Sequence, residues 1–530
     1  MVAAGPTGDR PPDMNLSDWI GRHAALRPNA PAVICEGRSF SYAQLWSAVT
    51  ALSDAMADDP NMRPGARVAY LGYNSPELLM LVFACARLGC IVLPLNWRMA
   101  PPEHAAILRH ARPSILIAEP EFTTHVESLL DDIPRPRLIG TGRAHPPWES
   151  FAELIADRGD RQTPCPETTY AAPLLLCYTS GTTGAPKGAL LSQDALFWNA
   201  VNSTVLHDLT STDHVLTVLP MFHVGGLNIQ TLPALHAGAT VTLLRRFTPD
   251  AFFHCLDQQS VSLTLLVPTV LHALMQDPRW QTTDFSGLRS VGIGSTTAPE
   301  SLIRAATLRG LPLYQVYGAT ETCPIAAHTT PEETGRNPRT TGRAAMHCEV
   351  RLVDGQNQEV PADTPGEILV RGPNVFSGYW NDAAATAAAF TAGWFHTGDI
   401  GYRDAEDFIY VVGRSKDMII SGGENVYPAA IENVLSEYQD LAEVTVVGRP
   451  DDYWGEIVVA VAVARAGHPR DPEKILEWCC GRIARYEHPR EVLYVDALPR
   501  NAMGKVIKDQ VRRMVAERAK DCIALANRST

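Results

Sequence analysis

From about Asp18 onward, apolar stretches with helical spacing alternate with short β-branched runs. Residues 78–86 predict a buried helix, and Ile91-Val92-Leu93 a strand just after it. Residues 114–118, 215–219, 240–244 and 263–267 predict further strands. Helix and strand in alternation predict a layered α/β architecture with largely parallel sheets. Residues 349–353 and 366–370 alternate apolar and polar positions across the turn-rich Asp354-Gly355-Gln356-Asn357. That pattern predicts a hairpin in a small β subdomain.

Past Gly413 the character changes. Arg414-Ser415-Lys416-Asp417 separates two apolar strands, 408–412 and 418–420, and marks a boundary between a large domain, 1–414, and a small one, 415–530. In the second part, 442–447, 457–464 and 492–495 read as strands and 428–436, 472–484 and 509–520 as helices. This is the size of one compact α+β domain. No internal repeat, low-complexity tract or heptad seam is visible.

The composition narrows the function. With 530 residues the chain exceeds one typical domain of roughly 100–200 residues. It carries 45 Lys plus Arg against 58 Asp plus Glu, a formal charge of −13. Broad binding of nucleic acid or anionic lipid needs clustered cations, so any polyanion must be held locally. Eleven cysteines without a C-x-x-C pattern, two of them adjacent at Cys479 and Cys480, read as reduced and mostly buried thiols. The opening MVAAGPTGDRPPDMN lacks the charged and then apolar run of a secretion signal. The most apolar window, 78–95, holds Arg87, Gly89 and Pro94, which fits a buried helix and strand better than a membrane span. A cytoplasmic protein is expected.

The most informative segment follows the apolar run Leu174-Leu175-Leu176-Cys177. It reads Tyr178-Thr179-Ser180-Gly181-Thr182-Thr183-Gly184-Ala185-Pro186-Lys187-Gly188. Glycines admit a ligand close to the backbone, the hydroxyls donate hydrogen bonds, and Lys187 adds a fixed charge. The chemistry indicated is polyphosphate binding. It is not a Walker A loop, which would need glycine where Pro186 stands.

This loop resembles the phosphate loop of the adenylate-forming superfamily, which includes acyl-CoA synthetases, peptide-synthetase adenylation domains and luciferases. Further family motifs follow in order: Tyr317-Gly318-Ala319-Thr320-Glu321-Thr322, Gly393-Trp394-Phe395-His396-Thr397-Gly398-Asp399, Gly413-Arg414-Ser415-Lys416-Asp417, Ser421-Gly422-Gly423-Glu424-Asn425-Val426-Tyr427-Pro428 and Pro499-Arg500-Asn501-Ala502-Met503-Gly504-Lys505. The resemblance covers nearly the whole chain. It implies ATP, Mg²⁺ and coenzyme A, and two half-reactions. A carboxylate attacks the α-phosphate of ATP to give acyl-adenylate and pyrophosphate, and the CoA thiol then displaces AMP. Catalysis of the first step requires donors and positive charge aimed at the developing phosphorane.

The family match assigns Lys505 to bridging carboxylate and α-phosphate, Thr320 to the α-phosphate, and Thr179 and Glu321 to Mg²⁺. ATP or AMP would meet Thr179, Ser180, Gly181, Thr182, Thr183, Gly184 and Lys187. Tyr317 would stack on adenine beside Gly318 and Ala319. The opposite loop is mapped to residues 292–297, with Gly294, Ser295 and Thr296 as contacts. Asp399 would accept the ribose hydroxyls, with Arg414 on the same sugar. Lys416 maps to the hinge about which the small domain reorients. Gly422 and Gly423 would line the pantetheine tunnel, and Trp454 the CoA nucleotide.

Met221-Phe222-His223-Val224-Gly225-Gly226 resembles the acyl-CoA synthetase form of the family's aromatic motif, which places His223 at the acyl pocket. Amino-acid-activating members carry aspartate at that position, so an amino acid is disfavoured. Gly225, Val267, Val316 and Gly318 complete the expected pocket. Val316 stands where many long-chain members have glycine and would shorten the tunnel, which favours an aromatic, alicyclic or short-to-medium acid. The alternatives are an adenylation protein that loads a carrier, although no G-x-D-S site follows residue 505, and a long-chain fatty acyl-CoA synthetase. The expected partners are a small carboxylic acid and CoA, with no nucleic acid, no stable membrane insertion, and a homodimer left open.

Overall fold

The computed structural model describes residues 14–142, 145–156, 168–179, 187–296, 298–500 and 506–526. Two large mixed sheets form the body. The first has nine strands, in the order Arg343–Ala344, Ala327–His328, Leu313–Tyr317, Ser290–Gly294, Leu263–Leu266, His214–Thr217, Thr240–Leu243, Pro31–Cys35 and Arg38–Ser41. Its inner strands run parallel and its edges antiparallel. The second has eight strands and is parallel from Pro173–Thr179 through Ile91–Pro94, Arg67–Leu71, Ile115–Ala118 and Arg137–Gly140 to Glu149–Ser150. Parallel strands in the body were the expectation, and the apolar runs that carry it are buried on both faces.

The most apolar window shows why the sequence folds this way. Ser75 caps the helix Pro76–Leu88 by accepting from the Leu78 amide, Pro76 opens it, and Gly89 ends it in the left-handed region. The chain then turns into Ile91–Pro94, which lies between Arg67–Leu71 and Pro173–Thr179. Helix and strand together are almost wholly buried. Among the described residues no helix is long and apolar enough to cross a membrane.

The expected hairpin forms. Glu349–Val353 pairs antiparallel with Gly366–Arg371, which also pairs with the long strand Trp394–Arg403; that strand in turn pairs with Ile409–Arg414. A fourth sheet of five strands gathers Ile419–Ser421, Glu424–Val426, Leu441–Asp451, Gly455–Ala464 and Glu491–Tyr494. The helix expected at 472–484 is shorter. It spans Pro472–Cys479, Cys480 swings to extended backbone, and a single 3₁₀ turn follows at Arg485–Glu487. The helix expected at 509–520 is longer, Lys508–Ala526. Of the described cysteines all are buried except Cys480.

The topology locates the site before any side chain is considered. In the nine-stranded sheet the chain leaves His214–Thr217 for Thr240–Leu243 on one side, then crosses back to Leu263–Leu266 on the other. The loops at the carboxyl ends of neighbouring strands diverge at such a switch point and leave a crevice between them.

Candidate active site

A cavity of about 330 Å³ lies at that switch point. Each parallel strand supplies its wall from just beyond its carboxyl end: Pro220, Phe222, His223 and Gly225 after His214–Thr217, Arg245, Arg246 and Phe247 after Thr240–Leu243, Val267 and Val270 after Leu263–Leu266, and Ser295 after Ser290–Gly294. Trp97 and Arg98 reach in from the second sheet's side. The walls are therefore aromatic and aliphatic, with a few polar groups, as suits an organic ligand with one polar end. His223 caps a single helical turn, and its Nδ1 accepts from the Gly225 amide at 3.2 Å.

A three-residue polar cluster forms at the end of Leu313–Tyr317, the strand that pairs with Ser290–Gly294. Asp399 and Arg414 lie directly opposite each other on antiparallel strands, so the register alone brings them together. Arg414 Nε donates to Asp399 Oδ1 at 2.7 Å, and Tyr317 Oη, at the end of Leu313–Tyr317, donates to Asp399 Oδ2 at 2.8 Å. The Asp399 amide is held in turn by Thr397 Oγ1 at 3.0 Å. Asp399 is only 6% exposed. Its charge, ahead of the opposing effect of burial, raises the Arg414 pKa. Burial first and then Asp399 push the Tyr317 phenol well above its ordinary value, so it remains a donor. An ionised carboxylate has about four acceptor sites.

A second cluster forms where the strand Lys187–Ser192 meets the turn Thr320–Thr322. The short strand Gly378–Tyr379 pairs antiparallel with Lys187–Ser192, which places Tyr379 opposite Ala189. From there Tyr379 Oη donates to Glu321 Oε1 at 2.9 Å. The same ring faces the Lys187 ammonium at 5.1 Å. The Phe376 amide donates to the Glu321 carbonyl at 2.8 Å, tying this segment to the Glu321 turn. Thr179 Oγ1 lies 3.4 Å from the Lys187 carbonyl, across the base of the loop. Among the described residues no three His, Cys, Asp or Glu side chains converge. The donor set at this point is one carboxylate and a threonine, which fits a hard cation that completes its shell with phosphate oxygens and water.

Glycine is obligatory in the Tyr317 motif. A Cβ on Gly318 would lie 1.4 Å from the Pro324 carbonyl oxygen, so the turn that presents Tyr317 and Glu321 closes only around a bare backbone.

The structure sorts the expected residues as follows. His223, Gly225 and Val267 line the cavity. Val316 and Gly318 do not. Val316, 7% exposed, lies in the buried cluster against which Val267 and Val270 pack, so it backs the wall instead of shortening the pocket. Residues 292–294 are not loop but buried strand, and a Gly294 Cβ would meet Val316 Cγ1 at 2.7 Å. Ser295 lines the same cavity as His223 and adopts a positive φ of 74°. Ala319 and Thr320 are half-buried, and Thr296 is exposed. Ser180, Gly181, Thr182, Thr183, Gly184 and Lys505 lie outside the described residues. In the fourth sheet, the Gly422 amide donates to the Trp454 carbonyl at 2.8 Å, and a Gly422 Cβ would press on the indole at 2.8 Å, so these two expected contacts are adjacent. Lys416 sits exposed in the single turn Ser415–Asp417. Sequence reasoning passed over Tyr379, Trp97, Arg98 and Arg246. Tyr379 stands in Phe376-Ser377-Gly378-Tyr379-Trp380, an aromatic run whose only signal was its composition.

Comparison with known proteins shows the family. The description of the AMP-binding enzyme family matches residues 20–380, and that of the AMP-binding enzyme C-terminal domain matches 430–505. The chain is 51% identical over 505 residues to an indoleacetate–CoA ligase from Aromatoleum aromaticum, covering 95% of this chain and 99% of that one. It is 38% identical over 501 residues to a feruloyl-CoA synthase from an Amycolatopsis species, with 94% and 99% coverage. The structure of O-succinylbenzoate coenzyme A synthetase from Bacillus subtilis in complex with ATP and magnesium superposes with a TM-score of 0.84 at 30% identity, covering 94% of this chain and 99% of that one.

Proposed function

The chain belongs to the AMP-binding enzyme family, and on that premise we propose that it is an ATP-dependent acid:CoA ligase acting on a compact aromatic monocarboxylic acid of arylacetate size. The observation that carries the choice of acid is the cavity, about 330 Å³, walled by Trp97, Phe222, Phe247 and Val267. The indoleacetate and ferulate named for the relatives fit the same chemistry.

The acid carboxylate attacks the α-phosphorus, the bond to the bridging oxygen breaks, and pyrophosphate leaves. The CoA thiol then adds to the acyl carbon, loses its proton, and AMP departs with the electron pair. Asp399 holds the ribose hydroxyls while Tyr317 and Arg414 keep it oriented. Thr320 donates to the α-phosphate, and Lys187 with the hydroxyls of residues 179–183 holds the outer phosphates. Glu321 and Thr179 would hold Mg²⁺, which when bound neutralises phosphate charge. Lys505 bridges the two reacting anions. His223 closes the acid pocket against the reaction centre. The small domain, 415–530, delivers Lys505 for the first half and the Gly422-Gly423 face with Trp454 for the second, by turning about Lys416. The charge of −13 supports a reading without a nucleic-acid partner; a homodimer is compatible with this scheme and plays no part in it.

A pyrophosphate-release screen tests the reading. Indole-3-acetate, phenylacetate, ferulate, benzoate, hexanoate and palmitate would be compared at matched concentration, with acyl-CoA formation followed in parallel. Aromatic acids should lead; a palmitate optimum would overturn the choice of acid.

A further inference from the structure

The loop after the strand Arg67–Leu71 carries a buried asparagine that ties the two large sheets together at the cavity. Asn74 is 3% exposed and belongs to the cavity wall. Its Nδ2 donates to the Leu219 carbonyl at 3.0 Å and to the Leu244 carbonyl at 2.9 Å. Its Oδ1 accepts from the Met221 amide at 2.7 Å, and its own amide donates to the Arg245 carbonyl at 3.3 Å. A primary amide has two N–H donors and a carbonyl acceptor, and here main-chain atoms of the other sheet occupy all of them. Leu219 and Met221 lie just past His214–Thr217, and Leu244 and Arg245 just past Thr240–Leu243. One side chain therefore holds both loops that diverge at the switch point.

The tie leads to His223, two residues beyond Met221. A Cβ on Gly226 would lie 2.7 Å from the Leu219 carbonyl oxygen and 2.3 Å from that of Pro220. The short helical turn capped by His223 thus closes directly against the carbonyl that Asn74 holds. The loop that bears Asn74 has little slack of its own. The buried Glu119 carboxylate accepts from the Tyr73 amide at 3.0 Å and from Tyr70 Oη at 2.9 Å. On the other side Ser75 caps the helix Pro76–Leu88. A Cβ on Gly72 would meet Glu119 Cγ at 2.6 Å, so the loop packs against that carboxylate without a gap. Asn74 is the anchored partner, and the His223 loop is set against it.

We infer that Asn74 is a positioning residue for the acid pocket: through Leu219 and Met221 it sets where His223 stands, and with it the shape that selects among acids. The inference rests on the acid:CoA ligase reading, which assigns this cavity to the acid. A residue that served the fold alone would not distinguish one substrate from another.

The test uses the full chain with N74D, which keeps the shape but turns oxygen lone pairs toward two carbonyls, and N74A, which leaves room for water to serve them. Pyrophosphate release is measured with indole-3-acetate and with phenylacetate, varying acid and ATP separately. N74D should raise KM for the acid by about tenfold, the scale of one buried hydrogen bond, and KM for ATP by less than about twofold. The ratio of kcat/KM between the two acids should move by at least about threefold, and N74A should show the same pattern more weakly. Equal changes in the two KM values with an unmoved ratio, or no change, overturn the role. Thermal unfolding accompanies the kinetics, and failure of both variants to fold overturns it too, by assigning Asn74 to the fold alone. Absence of thioester from the unaltered protein with every aromatic acid would instead overturn the ligase reading.

Discussion

Tyr379 Oη donates to Glu321 Oε1 at 2.9 Å while its ring faces the Lys187 ammonium at 5.1 Å. One side chain thus orients the carboxylate assigned to the cation and the lysine assigned to the phosphates. Burial first, and then Glu321, raise the Tyr379 pKa, so the phenol stays protonated and donating. Tyr379→Phe removes the donor and keeps the ring. The half-saturating Mg²⁺ concentration should rise by about tenfold, the scale of one hydrogen bond to a charged group, with a smaller change in KM for the acid. Tyr379→Ala should add a loss in KM for ATP as Lys187 loses its aromatic face. An unchanged Mg²⁺ dependence in Tyr379→Phe would show that Glu321 is held by other means.

Lys505→Ala should cut pyrophosphate release by at least about a hundredfold, the scale of one electrostatic group at a developing oxyanion. Attack of CoA on supplied acyl-adenylate should survive largely intact. Equal loss of both halves would refute the role, because a lysine needed only for adenylation has no part in thiol attack.

Lys416→Pro should act in the opposite sense. Proline fixes φ, and a stiffened Ser415–Asp417 turn should slow thioester formation more than pyrophosphate release. Rapid-quench measurement of the two halves decides it; unchanged thioester formation removes Lys416 as the hinge.

Acid should destabilise the protein through buried histidines. Burial, ahead of the nearby His328 and Arg289, pushes the His207 pKa down to about 3. Burial, ahead of a neighbouring histidine, lowers His104 and His236 to about 4. These folded values lie below the unfolded value of about 6.5, so the unfolded chain binds protons that the folded one refuses. Their stabilisation is fully present above about pH 6.5 and is lost as pH falls toward 4 for His104 and His236 and toward 3 for His207. The unfolding free energy from urea titrations should decline across that window, and His207→Asn should flatten the decline by about 1.4 kcal/mol per pH unit at its steepest. A slope unaltered by His207→Asn would place the proton uptake elsewhere.

Much of the site was legible because its chemistry is written in contiguous words. Thr179 to Lys187, Tyr317 to Glu321 and Thr397 to Asp399 each combine small residues, hydroxyls and one charge in a spacing that chance rarely assembles. Tyr379, Arg98 and Arg246 have no such local signature. Tyr379 acquires its partner only when Gly378–Tyr379 pairs with the strand that begins at Lys187. The two arginines, 148 positions apart in number, become one feature only because both stack on Trp97. Val316 misled for the converse reason. Its place beside a motif tyrosine suggested a pocket wall, yet strand alternation turns it into the cluster behind Val267.

The sequence by itself determined the alternation of helix and strand, the hairpin of the β subdomain and the reaction class, since periodicity and short motifs are local properties. Only the tertiary structure decided which side chains surround the cavity proposed for the acid. The cavity is built from the carboxyl ends of strands that are adjacent in the sheet but distant in the chain, and their order reverses at His214–Thr217. Which side chains meet there is set by sheet order and register, quantities that depend on all the strands packing at once and that no single segment encodes.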